Sequence, residues 1–190
     1  MHADSWALKA KKHGFRSRAV FKLEEILIKT KALKNNSFVL DIGSAPGGWS
    51  EFVKAMTPSS HVYAIDLLPM DPINGVIFFQ EDIMNINEIK ELSLLKSKFN
   101  LVISDLAPNL TGIRAVDEEN IFELNIITLK TAKSYLSKSN GSFIIKTFQN
   151  SLLKKLRTEM EKSFHLVQTY KPAASKSKSA EIYLYGERPL

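Results

Sequence analysis

The chain has 190 residues, 44% of them hydrophobic, which is enough for one domain with a full core and short for two. It has no cysteine, which excludes a disulfide framework and a thiolate metal site and makes a reducing cytoplasm the expected home. The net charge of +6, with 21 lysines against 5 arginines, suits a polyanionic partner such as nucleic acid, and no run approaches the roughly 20 apolar residues needed to span a bilayer.

The opening MHADSWALKAKKHGFRSR is charged and does not read as a secretory signal. Within it Lys9, Lys12 and Arg16 recur at helical spacing and suggest one phosphate-facing stripe, with Lys11 and Arg18 beside it. RAVFKLEEILIK (18–29) reads as a second helix, so residues 1–30 form a helical extension before the first strand. Five short apolar runs follow: FVLDIG (38–43), HVYAID (61–66), VIFFQ (76–80), NLVISD (100–105) and SFIIKT (142–147). They are continuous and rich in Val, Ile and Phe, as in a parallel sheet covered on both faces. Helices are expected between them over 48–56, over 87–96 with Ile89, Leu92 and Leu95 in phase, and over 118–137 with Asp117 as N-cap. The end differs. A helix over 151–162 leads to FHLVQTY (164–170) and, without another helix, to EIYLYG (181–186), which predicts an antiparallel pair at the sheet edge. The expectation is a single doubly wound α/β domain over 1–190. It has a seven-stranded, mostly parallel sheet with an antiparallel edge strand and helices on both faces. No spare apolar stripe is evident, which points to a monomer.

VLDIGSAPGGWSEF (39–52) is the strongest local signal. A strand ends, a loop with three glycines follows, and a helix begins; glycine lets a ligand approach the backbone, and the helix start offers free N–H groups. The spacing is G-x-x-P-G-G rather than the G-x-G-x-x-G of dinucleotide enzymes. Pro46 and the bulky Trp49 make a poor phosphate cradle, so a ligand without phosphate, such as S-adenosylmethionine, fits better. Gly43, Pro46, Gly47, Gly48 and Trp49 are the loop candidates. Asp66, 19 residues after Gly47, ends the next strand at the place where an acidic group binds ribose hydroxyls, and Asp82 follows the third strand, placed to meet an adenine amino group. Lys146 ends the fifth strand, where the ligand crevice of an open α/β sheet lies. The histidines at 2, 13, 61 and 165 form no ligand-spaced set, so no metal is expected.

Several blocks together resemble the FtsJ family of ribosomal RNA ribose 2′-O-methyltransferases: RSRAVFKLEEI, DIGSAPGGWS, AIDLLPMDPI, VISDLAPNLTG and FIIKTFQ. The likeness runs from about residue 5 to residue 188. It implies a Rossmann-like methyltransferase fold and S-adenosylmethionine as cofactor. It further implies methyl transfer to the ribose 2′-hydroxyl of a uridine in large-subunit (23S) ribosomal RNA. The family's lysine–aspartate–lysine–glutamate tetrad falls on Lys22, Asp105, Lys146 and Glu181, with Lys146 as general base. Its cofactor positions fall on Gly47, Trp49, Asp66, Asp82 and Asp105. Glu81 departs from the related QGD pattern, and lysines replace arginines in AASKSKSAE. RNA contacts are expected from the N-terminal stripe and from Lys171, Lys176 and Lys178 before Glu181.

Two rivals remain at this stage. In a base methyltransferase, SDLAPN (104–109) would serve as the D-P-P-Y loop, but it lacks the second proline and the aromatic residue. The other rival is a noncatalytic RNA-binding assembly factor, against which the complete tetrad argues.

Overall fold

The computed structural model describes residues 5–175 and 179–190. Helices α1 (Ser5–Lys12) and α2 (Val20–Thr30) precede β1 (Phe38–Ile42), α3 (Gly48–Met56), β2 (His61–Asp66) and β3 (Val76–Gln80). A 3-10 helix over Ile83–Glu88 and the short α4 (Lys90–Ser93) lead to β4 (Leu101–Ser104), α5 (Arg114–Tyr135) and β5 (Ser142–Phe148). The chain ends with α6 (Leu153–Glu161), β6 (Phe164–Tyr170) and β7 (Glu181–Pro189).

The seven strands form one sheet in the order β3-β2-β1-β4-β5-β7-β6. Strands β1 to β5 pair in parallel, and the order reverses beside β1, between β2 and β4. That reversal opens the crevice where ligands bind in such sheets. The antiparallel strand is β7, which lies one place in from the edge, between β5 and the edge strand β6.

Successive side chains in a strand point to opposite faces. Leu40, Ile42, Val102, Phe143, Ile145 and Leu184 face one core, shared with Leu129, Ala132 and Tyr135 of α5 and Leu156 and Met160 of α6. Val39, Leu101, Ile103, Ile144, Tyr183 and Tyr185 face the other, shared with Val20, Leu23 and Ile26 of α2 and Trp49, Phe52 and Val53 of α3. The second helix of the N-terminal extension is therefore part of the core. The same alternation sends Asp41, Lys146 and Glu181 to the α2–α3 face.

Two helix expectations need correction. Residues 87–96 do not form one helix. Asp82 caps a 3-10 turn through the Met84 N–H, and Ile89 adopts an extended conformation that ends it before α4 begins. Asparagine at 85 and 87 competes with regular helix there. Asp117 is not the N-cap of α5, which starts after Ile113. Its carboxylate instead accepts bonds from Thr111 N–H and Oγ and from Gly112 N–H, tying the loop back onto the first helical turn.

Gly186 sits in β7 opposite Phe143 on one side and Val167 on the other. A Cβ there would lie 2.6 Å from the Phe164 ring, which stacks on Phe143 at 6.1 Å. Gly186→Ala is expected to destabilise the fold by about 1–3 kcal/mol through overpacking, lowering Tm by about 2–4 °C for each kcal/mol. An unchanged Tm would show that Phe164 moves aside at no cost.

Candidate active site

The ends of β4, β5 and β7 bring four charged side chains together with α2. Lys146 lies opposite Tyr183 in the β5–β7 ladder, and Glu181 is two residues before Tyr183, on the same face. Lys22 is in the first turn of α2 and is 7% exposed. Lys22 Nζ is 2.6 Å from Glu181 Oε1. Lys146 Nζ is 3.0 Å from Asp105 Oδ1 and donates to the Asp105 backbone carbonyl at 2.5 Å. The Tyr183 hydroxyl joins the two pairs, lying 3.2 Å from Glu181 Oε1 and 3.4 Å from Asp105 Oδ1. Ser175 Oγ donates to Glu181 Oε1 at 3.1 Å.

Burial alone would raise the Glu181 carboxyl, but the bond from Lys22 and its charge outweigh it and leave the group below its ordinary value. At Asp105, burial prevails over the pull of Lys146 and Lys22, so the carboxyl lies above its ordinary value. Burial, with the charges of Asp105 and Glu181, pushes the Tyr183 hydroxyl far up, so it stays protonated as a donor. Tyr183 was not singled out from the sequence. The period-2 alternation in EIYLYG does place it on the face of Glu181.

Beside this cluster, at the carboxyl ends of β1, β2 and β4, lies a cavity of about 450 Å³. Gly43, Asp66, Leu67 and Leu68 line one part, Asp82, Ile83 and Met84 another, and Leu106 to Asn109 the side towards Asp105. Among the described residues no lysine or arginine lines it, while Asp66, Glu81 and Asp82 do. Such a lining disfavours a pyrophosphate and suits an uncharged or cationic ligand with apolar surface. Gly43 has φ +78°, and a Cβ there would lie 2.4 Å from the Leu106 side chain, so glycine is required where the first loop meets the β4 loop. Asp66 accepts the Ala45 N–H on one oxygen and the Leu68 N–H on the other, each at 2.8 Å, which fixes its carboxylate between two loops. Glu81 Oε1 accepts from the Asp82 N–H and from Asn85. The residue that departs from the family pattern thus braces Asp82. Asp41 Oδ1 and Ser44 Oγ, under the same loop, are buried without a hydrogen-bond partner among the described residues, so this region has polar capacity left for a ligand or water.

Other expected contacts stand differently. The Trp49 ring is buried and donates its Nε1–H to the Ala19 carbonyl at 2.9 Å, and Trp49 does not line the cavity. The Arg16 guanidinium turns inward onto three backbone carbonyls. Lys9 stacks over the rings of Phe21 and Trp6, at 4.5 and 5.1 Å. Lys11 and Lys12 are exposed. Lys171 donates to the carbonyls of Ser179 and Glu181 and so props the loop before β7. Lys176 and Lys178 lie outside the described residues. Among the described residues no group of three His, Asp or Glu side chains is placed to hold a metal ion, and no helix is long and apolar enough to cross a membrane.

The sheet order, the glycine loop at the strand reversal and the acidic, apolar cavity define a Rossmann-like methyltransferase. The fold matches human methyltransferase-like protein 13, crystallised in complex with SAH, with a TM-score of 0.61 at 16% identity over 85% of this chain and 80% of that one. The model of the FtsJ-like methyltransferase family matches residues 15–188, and the chain belongs to that family. A crystal structure of a Plasmodium falciparum protein assigned as a ribosomal RNA methyltransferase superposes with a TM-score of 0.82 at 32% identity, covering 93% of this chain and 99% of that one. Similar relatives are the ribosomal RNA large subunit methyltransferases E of Anaplasma marginale and Dechloromonas aromatica. The first is 40% identical over 94% of this chain and 90% of its own length, the second 39% identical over 96% and 90%.

Burial pushes the Asp41 carboxyl from 3.8 to about 7, against the bond from Ser50 and with the help of the Asp105 and Asp66 charges. Between these values the folded chain holds a proton that the unfolded chain has released. Stability is therefore lost as pH rises from about 4 through about 7, by on the order of 4 kcal/mol at most. Asp41→Asn removes this slope. Denaturation without ligand at pH 5 and pH 8 is expected to show the variant gaining on the wild type at the higher pH. An equal difference at both would contradict an ionisation at this site.

Proposed function

We propose that this protein transfers a methyl group from S-adenosylmethionine to the ribose 2′-hydroxyl of a uridine in large-subunit ribosomal RNA, with Lys146 as general base. The observation that carries the reading is the convergence of Lys22, Asp105, Lys146 and Glu181 beside an adenosyl-sized, cation-tolerant cavity. S-adenosylmethionine supplies an electrophilic methyl on a sulfonium. In this reading Asp66 takes the cofactor's ribose hydroxyls and Asp82 its adenine amino group, while Asp105 faces its methionine end. Gly43, which lines the cavity, lets the ligand lie close, and Pro46, Gly47, Gly48 and Trp49 form the rest of the loop behind it, outside the cavity lining.

A ribose hydroxyl is a weak nucleophile until its proton leaves, and its oxygen must lie in line with the methyl at about 3 Å. Lys146 is carried by a central strand and held by Asp105, so its amine has one position at the crevice rim. Once neutral, it accepts the hydroxyl proton as the new carbon–oxygen bond forms. Lys22 stands across the Tyr183 hydroxyl from Lys146, with Glu181 fixing its ammonium. The SDLAPN loop (104–109) beside Lys146 carries no aromatic side chain on which a flipped base could stack, which disfavours base methylation.

The substrate places the enzyme in the cytoplasm, acting as a monomer in which one methyltransferase domain spans residues 1–190. RNA reaches the crevice across α1, where Lys11 and Lys12 are exposed, and Lys176 and Lys178 are further phosphate contacts in this reading. Lys11→Glu with Lys12→Glu is expected to weaken RNA binding and to lower the slope of log K against log salt by roughly 2. An unchanged slope would remove α1 from the interface. Lys146→Ala is expected to lower kcat by about 10²–10⁴-fold with cofactor binding retained. Near-normal turnover would remove Lys146 from the base role.

A further inference from the structure

Arg16 lies in the connection between α1 and α2, and its guanidinium reaches three backbone carbonyls in two other loops. Nη1 donates to Pro46 O at 3.2 Å and Asp71 O at 2.9 Å, and Nη2 donates to Pro72 O at 3.1 Å. Nε is 3.5 Å from Glu51 Oε1 in α3. The loops it bridges are the glycine loop and the segment DLLPMDPING after β2. Both contain proline, and two of the three carbonyls that Arg16 reaches, those of Pro46 and Pro72, belong to residues with no N–H of their own. A guanidinium offers several donors in one plane, which a lysine ammonium does not reproduce.

The surrounding contacts make the same junction close-packed. A Cβ at Gly48 would lie 3.0 Å from Ser17 Cβ, and one at Gly47 would lie 2.7 Å from Ile73 and 2.8 Å from Met70 Sδ. The Trp49 indole bonds to Ala19. The extension thus presses on the glycine loop from one side and the 67–75 segment from the other. Asp66 is held by one N–H from each of the two loops that Arg16 bridges, Ala45 and Leu68.

We infer that Arg16 is a positioning residue for cofactor binding, a latch through which the N-terminal extension holds the two loops that orient Asp66. It acts through those loops and touches neither cofactor nor RNA phosphate.

The inference rests on the cofactor reading, and binding of S-adenosylhomocysteine to the wild-type protein tests that reading separately. The experiment is calorimetric titration of S-adenosylhomocysteine into wild type, Arg16→Lys, Arg16→Met and Lys12→Met, with RNA salt slopes and ligand-free Tm measured on the same proteins. Arg16→Lys keeps the charge, disturbs folding least and serves if Arg16→Met does not fold. Both Arg16 variants are expected to bind the ligand about tenfold or more weakly, with unchanged salt slopes. Their KM for the methyl donor rises while kcat at saturating donor is kept. Lys12→Met is expected to do the reverse, lowering the salt slope and leaving ligand affinity in place. A fall in Tm with unchanged ligand affinity would make Arg16 a stabilising residue only and overturn the inference. So would a salt slope reduced by about 1 in Arg16→Met alone, which would mark a phosphate contact.

Discussion

The site depends on two ammonium–carboxylate pairs held together by one tyrosine. Lys22–Glu181 and Lys146–Asp105 are largely removed from water, and the Tyr183 hydroxyl touches a carboxylate of each. Removing ions from water is costly, and an apolar replacement often serves stability as well. The arrangement is therefore better understood through what it fixes. Each amine is confined by its partner, each carboxylate has further hydrogen bonds, and removing any one member leaves a buried charge without its counterion. Such a cluster holds two lysines near each other in a defined geometry, which like charges alone would oppose.

Strand parity and sheet order make this possible. Lys146 and Glu181 reach the α2 side because Ile144 and Tyr183 do, and Lys22 reaches them because Val20, Leu23 and Ile26 anchor α2 on that same face. Inserting β7 between β5 and β6 puts Glu181 across from Phe148, two ladder positions beyond Lys146 and Tyr183. The acidic cavity lies on the other side of β4, at the strand reversal, so Asp105 stands between that cavity and Lys146. Sequence distance is large between these residues, and the sheet alone brings them together.

Much of this was legible in the sequence. The seven strands are apolar runs bounded by turn residues, and their ends fall within a residue or so of expectation, β7 running longest beyond it. The glycine loop was legible from its spacing at a strand end, and the tetrad candidates from the resemblance of their motifs to the family's. What was hidden depends on the direction of long side chains. Arg16 and Lys9 share a helical spacing with Lys12, yet one guanidinium folds inward onto carbonyls and one ammonium lies over aromatic rings. Lys171, though exposed, likewise bonds to the backbone of its own loop. A basic stripe read from periodicity does not reveal such local partners. Asp41 was visible as a carboxylate inside an apolar strand, but its full burial follows from α3 closing over it through Ser50. The failed helix over 87–96 reflects a spacing of apolar residues that a 3-10 turn and a four-residue helix satisfy equally well.

The most direct test of the account is the position of the transferred methyl group. The protein would be incubated with labelled S-adenosylmethionine and unmodified large ribosomal subunits, and the RNA digested to nucleosides for mass spectrometry. The account predicts label in 2′-O-methyluridine and in no base. Label on a base would contradict the ribose reaction and with it the role given to Lys146, and no label in any nucleoside would contradict the proposed substrate.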